Sequence, residues 1–182
     1  LFCLNTHLEL KKKHQKIFTV IAPRHINRVN EIKELCDKFN LDSQIIDANS
    51  TVVDDKEIII INAFGVLSEY FKYAKSVFIG KSSIKSLEKS GGQNPIDAAK
   101  LGCKIYHGPY VYNFHEIYRL FEANNISREI KDSKDLAKNL MMDFNSGDKN
   151  INKFAKLMSM MEEETLDKTM TKINEFLFNK AS

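Results

Sequence analysis

Short apolar runs, each followed by glycine, proline or a polar residue, organise the first two thirds of the chain. Their β-branched and aromatic residues are typical of strands buried on both faces of a sheet. The predicted strands span 17–22, 57–61, 76–79 and 104–106. Between them, apolar residues recur at three- or four-residue spacing, as in amphipathic helices. The predicted helices span 28–39, 66–74, 95–101 and 115–123. Strands that alternate with helices indicate an α/β fold with a doubly wound parallel sheet.

The last third of the chain has a different pattern. Asp132 and Ser133 precede an amphipathic helix that is predicted to end near Phe144, and a polar break follows it. From about 151 to 178 apolar residues again recur at helical spacing, which predicts a long helix that packs on the domain or on a partner. We therefore predict a single domain over 1–182, in which about 146–182 form a linker and a C-terminal helix.

Residues 91–97 contain two glycines, a capping residue and a proline, in the order that specifies a helix start. Asn94 is predicted to cap the helix, Pro95 suits its first position, and Asp97 falls in its first turn. The glycines allow the backbone to approach a ligand closely, and the free N–H groups of a first turn bind anions. The segment therefore predicts a phosphate site, although an ordinary surface helix can begin in the same way.

Polar and turn residues also follow the predicted strands. They lie at 23–25, 62–65, 80–83 and 107–109. In a parallel sheet, ligands bind outside the carboxyl ends of the strands, so these loops are expected to converge on one edge and form a nucleotide-sized anion site. His25 and His107 lie in two of the loops. Each either contacts phosphate or sugar hydroxyls or has a structural role.

Composition places the chain among ordinary globular domains. It is 43% hydrophobic and 28% charged, and 182 residues suffice for one substantial core. The formal charge of +3 gives no reason to expect a nucleic acid partner. The basic cluster at 11–16 is either a solvated helix face or a contact with an anionic membrane surface. The chain has three cysteines, an odd number, so a disulfide framework is not expected and a reducing cytosol is favoured.

Motifs for metal binding and catalysis are not found in the sequence. The histidines have no metal-ligand spacing, and there is no C-x-x-C pair, G-x-S-x-G elbow or Walker loop. No apolar run approaches the ~18 residues that a membrane-spanning helix needs, and no signal peptide is recognisable. We therefore expect no metal and no cofactor.

Several motifs, in the same order along the chain, resemble the C-terminal half of the 3-deoxy-D-manno-octulosonic acid (Kdo) transferases. The family patterns are approximately I-A-P-R-H, D-T-M-G-E-L, A-D-V-A-F-V-G-G-S-L, G-G-H-N-P-L-E-P-A and G-P-H-x-x-N-F. The corresponding segments here are 21–25, 62–67, 74–80, 91–99 and 108–114. The resemblance covers roughly residues 8–145 closely, and the last helix only by position.

The resemblance implies a GT-B glycosyltransferase built from two Rossmann-like domains. Such an enzyme moves Kdo from CMP-Kdo to the lipid A precursor, for lipopolysaccharide biosynthesis, on the cytoplasmic face of the inner membrane of a Gram-negative bacterium. The C-terminal domain binds the donor, so CMP-Kdo is the expected small-molecule partner. The acceptor and the glutamate proposed as general base belong to the N-terminal domain, which we expect to be absent from these 182 residues. The 182 residues alone are therefore expected to have no catalytic residue and no activity, with peripheral membrane contact at most.

The same resemblance implies which residues bind the donor nucleotide. Pro23 and Arg24 would contact CMP, with Arg24 bringing positive charge to the phosphate. The donor would also be lined by Phe64, Gly65 and Val66. The helix start near the phosphate and ribose would comprise Asn94, Pro95, Ile96 and Asp97.

The chain also departs from the family patterns. Val66 stands where the family has an acidic residue, Asn62 where it has Asp, Gln93 where it has His, and Asp97 where it has Glu. The stretch 81–90 is longer than usual by about four residues. These departures keep open a second interpretation, a non-catalytic nucleotide-binding or protein-interaction module derived from a GT-B glycosyltransferase.

Overall fold

A computed structural model describes residues 1–48, 50, 55–145 and 151–178. Within these residues the strands are parallel and form two three-stranded sheets, with orders β1-β3-β2 and β4-β5-β6. The strands are β1 (Thr19–Ile21), β2 (Ser43–Ile46), β3 (Ile58–Ile61), β4 (Ser76–Ile79), β5 (Lys104–His107) and β6 (Ser127–Glu129). The predicted α/β class with parallel strands is confirmed. The sequence analysis expects one sheet, whereas the hydrogen-bonded strands form two sets of three.

The helices predicted from the hydrophobic spacing are present, and a further helix precedes the first strand. They are α1 (Phe2–Lys11), α2 (Val29–Lys38), α3 (Leu67–Tyr73), α4 (Ile96–Lys100), α5 (His115–Ala123), α6 (Ser133–Phe144) and α7 (Ile151–Phe178). Short 3₁₀ turns lie at Ile26–Arg28, Lys85–Ser90 and Tyr112–Phe114. The predicted linker at 146–150 lies outside the described residues.

Each sheet has its own apolar core. All four isoleucines of β3 are buried, as expected for a central strand covered on both faces, and Leu4 of α1 and Cys36 of α2 pack with Ile58 and Ile60 on one of these faces. In the second half, Ile105 of β5 and Phe121 of α5 are fully buried in a cluster with residues of α4. These cores fix the strand ends from which the loops of the site begin.

Helices α1 and α6 pack against each other although they lie at opposite ends of the sheet-forming segment. Phe2 of α1 stacks on Phe78 of β4, with ring centroids 4.8 Å apart. Asp132 caps α6, because its side chain accepts hydrogen bonds from the backbone N–H groups of Lys134 and Asp135 at 2.9 and 2.8 Å. The helix predicted to follow Asp132 and to end near Phe144 is present, as α6.

The long helix α7 is attached to the domain by its first turns. Phe154 is buried and meets Phe121 edge to face, with centroids 5.7 Å apart, while Leu157 and Met158 pack against the same core. Met160 is 58% exposed and Met170 is 47% exposed. Core packing is therefore the role of Met158, and the described side chains between 159 and 171 lie largely in solvent.

Candidate functional site

The carboxyl ends of β1 and β3 place two predicted site segments side by side. The strands pair in parallel, with Ile21 opposite Ile60, so the loops that start at residues 22 and 62 leave the same edge of the sheet. Arg24 in the first loop is exposed and makes no hydrogen bond or ion pair with the residues that the structure describes. Phe64 in the second loop is 71% exposed. This edge therefore presents a positive charge and an apolar ring to solvent.

Gly65 and Val66 differ in what they offer a ligand. Gly65 has a φ of +76°, in the left-handed region that favours glycine, and an added Cβ would meet nothing within 4 Å. The backbone beside Phe64 is therefore open. Val66 is half-buried, and its side chain packs on the cluster that contains Ile46 and Ile61. It can line a ligand mainly through its backbone, because its side chain belongs to the core.

At the second sheet edge, Ser82 joins the loops that follow β4 and β5. Ser82 is fully buried, and its hydroxyl donates to the Ile79 carbonyl at 2.6 Å and accepts from the Gly108 N–H at 2.8 Å. The Ser82 carbonyl accepts from the Tyr110 N–H at 2.8 Å. A Cβ on Gly108 would lie 2.5 Å from the Ser82 carbonyl oxygen, so glycine is required there for the two loops to touch. The loops that follow β4 and β5 therefore pack together as one block.

The two glycines of the 91–97 segment are packed against this block. A Cβ on Gly91 would lie 2.4 Å from the Tyr110 carbonyl oxygen, and one on Gly92 would lie 3.0 Å from the Val111 Cα. Both glycines are buried. The sequence interpretation attributed them to close approach of a ligand phosphate, whereas the structure explains them by close approach of the chain to itself.

The residues after the glycines divide between the core and the surface. The Ile96 N–H donates to Asn94 Oδ1 at 2.9 Å, so Asn94 satisfies an N–H of the first turn as predicted, although Pro95 and not Asn94 occupies the position directly before α4. Pro95 is buried and Ile96 packs against the second core, so these two residues hold α4 in place. Asn94 and Asp97 are exposed. Only the latter pair presents polar side chains for a ligand, beside a helix of 5 residues.

The two histidines of the loops have different environments. His25 is exposed. His107 is 1% exposed, and its Nδ1 donates to the Gly108 carbonyl at 2.9 Å. Its Nε2 lies 3.2 Å from Glu122 Oε1 but is not aligned with it as a hydrogen bond. This environment favours the structural role for His107.

Tyr118 of α5 links this histidine to the 91–97 segment. Its ring centroid lies 4.3 Å from that of His107, and its hydroxyl donates to the Gln93 carbonyl at 2.9 Å. Burial raises the pKa of Tyr118 well above its usual range, so the phenol remains a donor at neutral pH. Sequence reasoning missed both Ser82 and Tyr118, since a serine in a loop and a tyrosine on a helical stripe carry no pattern that distinguishes them.

Two further features, metal binding and membrane crossing, concern the same described ranges. In them, no three His, Cys, Asp or Glu side chains lie together in a way that could hold a metal ion. Likewise, none of the described helices combines the length and the apolar composition that crossing a bilayer requires.

Comparison with known proteins gives matches in both sequence and structure, although no family model matches the chain. A 3-deoxy-D-manno-octulosonic acid transferase from Rickettsia typhi is 30% identical over 131 residues, which are 72% of this chain and 27% of that protein. The enzyme of the same description from Haemophilus influenzae is 26% identical over 117 residues, 64% of this chain and 26% of that protein. The predicted resemblance to the Kdo transferases is confirmed.

A solved structure agrees with the sequence matches. The crystal structure of the C-terminal CMP-Kdo binding domain of WaaA from Acinetobacter baumannii aligns with a TM-score of 0.75 and 18% identity, over 85% of this chain and 80% of that one. The fold is therefore that of the C-terminal half of a GT-B protein. The chain spans about a quarter of the length of the Rickettsia and Haemophilus Kdo transferases that it matches.

Proposed function

We propose that these 182 residues form a single donor-binding domain for CMP-Kdo, and that they act within a Kdo transferase that moves Kdo to the lipid A precursor. The observation that carries the proposal is the sequence match to Kdo transferases over 72% of the chain. The exposed Arg24, Phe64 and Gly65 at the carboxyl ends of β1 and β3 support it, since ligands of such sheets bind at this edge.

Each exposed residue has a role that suits a cytidine monophosphate donor. The Arg24 guanidinium supplies charge-assisted hydrogen bonds to the phosphate. Phe64 offers an apolar face to the base or ribose, and the open backbone at Gly65 allows the nucleotide to lie close to the chain. Asp97 is a carboxylate acceptor suited to ribose hydroxyls, with Asn94 beside it. Pro23, Val66, Pro95 and Ile96 contribute shape and backbone.

Catalysis requires more than this domain. Glycosyl transfer needs an acceptor hydroxyl held against the anomeric carbon and a positioned base. We propose that both come from an acceptor domain outside these 182 residues, and that no residue of the donor domain is the catalytic base. Peripheral contact with the cytoplasmic face of the inner membrane follows from the nature of the lipid acceptor, and the exposed lysines at 12–13 are suited to such a surface.

Titration with CMP tests the proposal directly. Backbone amide signals of Arg24, Gly65 and Asn94 are expected to shift in ¹⁵N NMR spectra as CMP is added. A Kd near 1 mM corresponds to about −4 kcal/mol, which a few charge-assisted hydrogen bonds supply. Cytidine, which lacks the phosphate, is the matched control and should bind more weakly. If millimolar CMP shifts none of these amides, the donor-site assignment is wrong.

A non-catalytic nucleotide-binding module is the second candidate, and Val66 is the observation that favours it. The family has an acidic residue at this position, but Val66 packs in an apolar cluster of β2 and β3 and brings no carboxylate to the site. Joining the acceptor domain of a related enzyme to this chain separates the two candidates. Restored transfer supports the enzyme, whereas CMP binding without transfer supports the module.

A further inference from the structure

We propose that Tyr118 is a positioning residue for the donor site, because its hydroxyl fixes the 91–97 segment by donating to the Gln93 carbonyl. This inference rests on the proposed function and adds a residue that makes no contact with the donor itself. The hydrogen bond is 2.9 Å long and joins the middle of α5 to the residue that directly precedes Asn94.

The segment is held from both sides of Gln93. On its amino-terminal side, Gly91 and Gly92 lie against the backbone of Tyr110 and Val111, with no room for a Cβ on Gly91. On its carboxyl-terminal side, Ile96 packs into the second core. The Tyr118 hydroxyl lies between these two attachments, so it sets the path of the backbone that carries Asn94 and Asp97.

Tyr118 is itself held in one orientation. Its side chain is 1% exposed, its ring packs on His107, and its backbone carbonyl accepts from the Ser127 hydroxyl at 3.3 Å. His107 is in turn fixed by its bond to the Gly108 carbonyl, in the loop that Ser82 joins to β4. A phenol held in this way cannot follow the 91–97 segment if that segment moves. The hydrogen bond from Tyr118 to Gln93 therefore restrains the position of the segment.

Tyr118→Phe tests the inference, because it removes the hydroxyl and keeps the ring. Tyr106→Phe is the matched control, since Tyr106 is also buried and its hydroxyl also donates a hydrogen bond, to Asp143 Oδ2 at 2.8 Å. Asp143 belongs to α6, which carries no part of the proposed donor site. Losing one such bond is expected to raise the Kd for CMP about fivefold in Tyr118→Phe. The Tyr106→Phe protein should bind CMP like the wild type, at temperatures where all three proteins are folded.

Amide hydrogen exchange supplies a readout that a general loss of stability would not give. The Ile96 amide donates to Asn94 Oδ1, and its exchange in Tyr118→Phe should become faster while the amides of β3 keep their protection. If Tyr118→Phe is not folded, Tyr118→Met, which fills the space without a hydroxyl, is compared with Tyr106→Met in the same assays. Unchanged CMP affinity in a folded Tyr118 variant, or equal weakening by both tyrosine variants, overturns the inference while the proposed function stands. Wild-type protein that does not bind CMP overturns the proposed function and the inference with it.

Discussion

Gly91→Ala is expected to destabilise the protein strongly, because the backbone beside it cannot move away. The new Cβ would lie 2.4 Å from the Tyr110 carbonyl oxygen and 3.0 Å from that of Leu87. Tyr110 is anchored through its own N–H, which donates to the Ser82 carbonyl at 2.8 Å. Relief of the clash therefore requires a shift of the loop after β5. Overpacking of this kind costs about 1–3 kcal/mol, and the short distance places Gly91→Ala near the upper end.

Thermal unfolding followed by circular dichroism measures this cost, with Gly80→Ala as the control. A Cβ on Gly80 meets nothing within 4 Å, and both variants reduce the entropy of the unfolded chain equally. Gly80→Ala should stay within about 1 kcal/mol of the wild type or exceed it. At roughly 2–4 °C per kcal/mol for a chain of this size, a cost of about 2–3 kcal/mol should lower the Tm of Gly91→Ala by about 4–12 °C. Equal Tm values for the two variants would refute the packing explanation of Gly91 and return it to a ligand role.

Three further predictions concern the donor site, a buried histidine and the isolated chain. Arg24→Ala should weaken CMP binding by about 1.5–3 kcal/mol with little change in Tm. The control Arg28→Ala removes a guanidinium already paired with Glu31 at 2.9 Å and should leave the Kd for CMP unchanged. Equal CMP affinities of the two variants contradict the role of Arg24. Burial lowers the pKa of His7 below its ordinary value of 6.5, so the unfolded state takes up a proton first and stability falls as the pH drops below that value. Urea unfolding should show this slope in the wild type and not in His7→Gln; the same slope in both excludes His7. Finally, the 182 residues with CMP-Kdo and lipid acceptor should give no product by mass spectrometry, and robust transfer would require a base within the chain.

The sequence predicts elements well where the hydrophobic signal and the burial coincide. The run Ser76–Ile79 was predicted with its observed bounds, and the helix His115–Ala123 likewise, because each is limited by turn residues on both sides. Strands β2 and β6 were not assigned. They lie at sheet edges, as β1 and β4 also do, but their own residues are more polar. Strand β2 begins with Ser43 and Gln44, and Arg128 and Glu129 of β6 are exposed, so no apolar run of strand length marks either strand. Edge strands of this type depend on the pairing partner and not on local preference.

The candidate site shows the same division between local and tertiary information. The hydrogen bond from the Ile96 N–H to Asn94 joins residues two positions apart, and the sequence predicts a bond of this kind. The packing of Gly91 depends on Tyr110, and the bond to Gln93 depends on Tyr118, both from other elements. A sequence indicates that glycine is needed there but not which atoms approach it. For this reason the sequence alone does not show whether Gly91 lies against a ligand or against a neighbouring loop.

The packing of α1 on α6 has a consequence for how the chain acquires its structure during translation. Phe2 lies in an apolar cluster with Leu136 and Leu140, which are synthesised long after it. Contacts between such distant parts of a chain cost loop-closure entropy and slow the folding reaction. A nascent chain that has not yet reached α6 leaves the ring of Phe2 without that cover. The ribosome must therefore release α6 from its exit tunnel before the first helix can complete its packing.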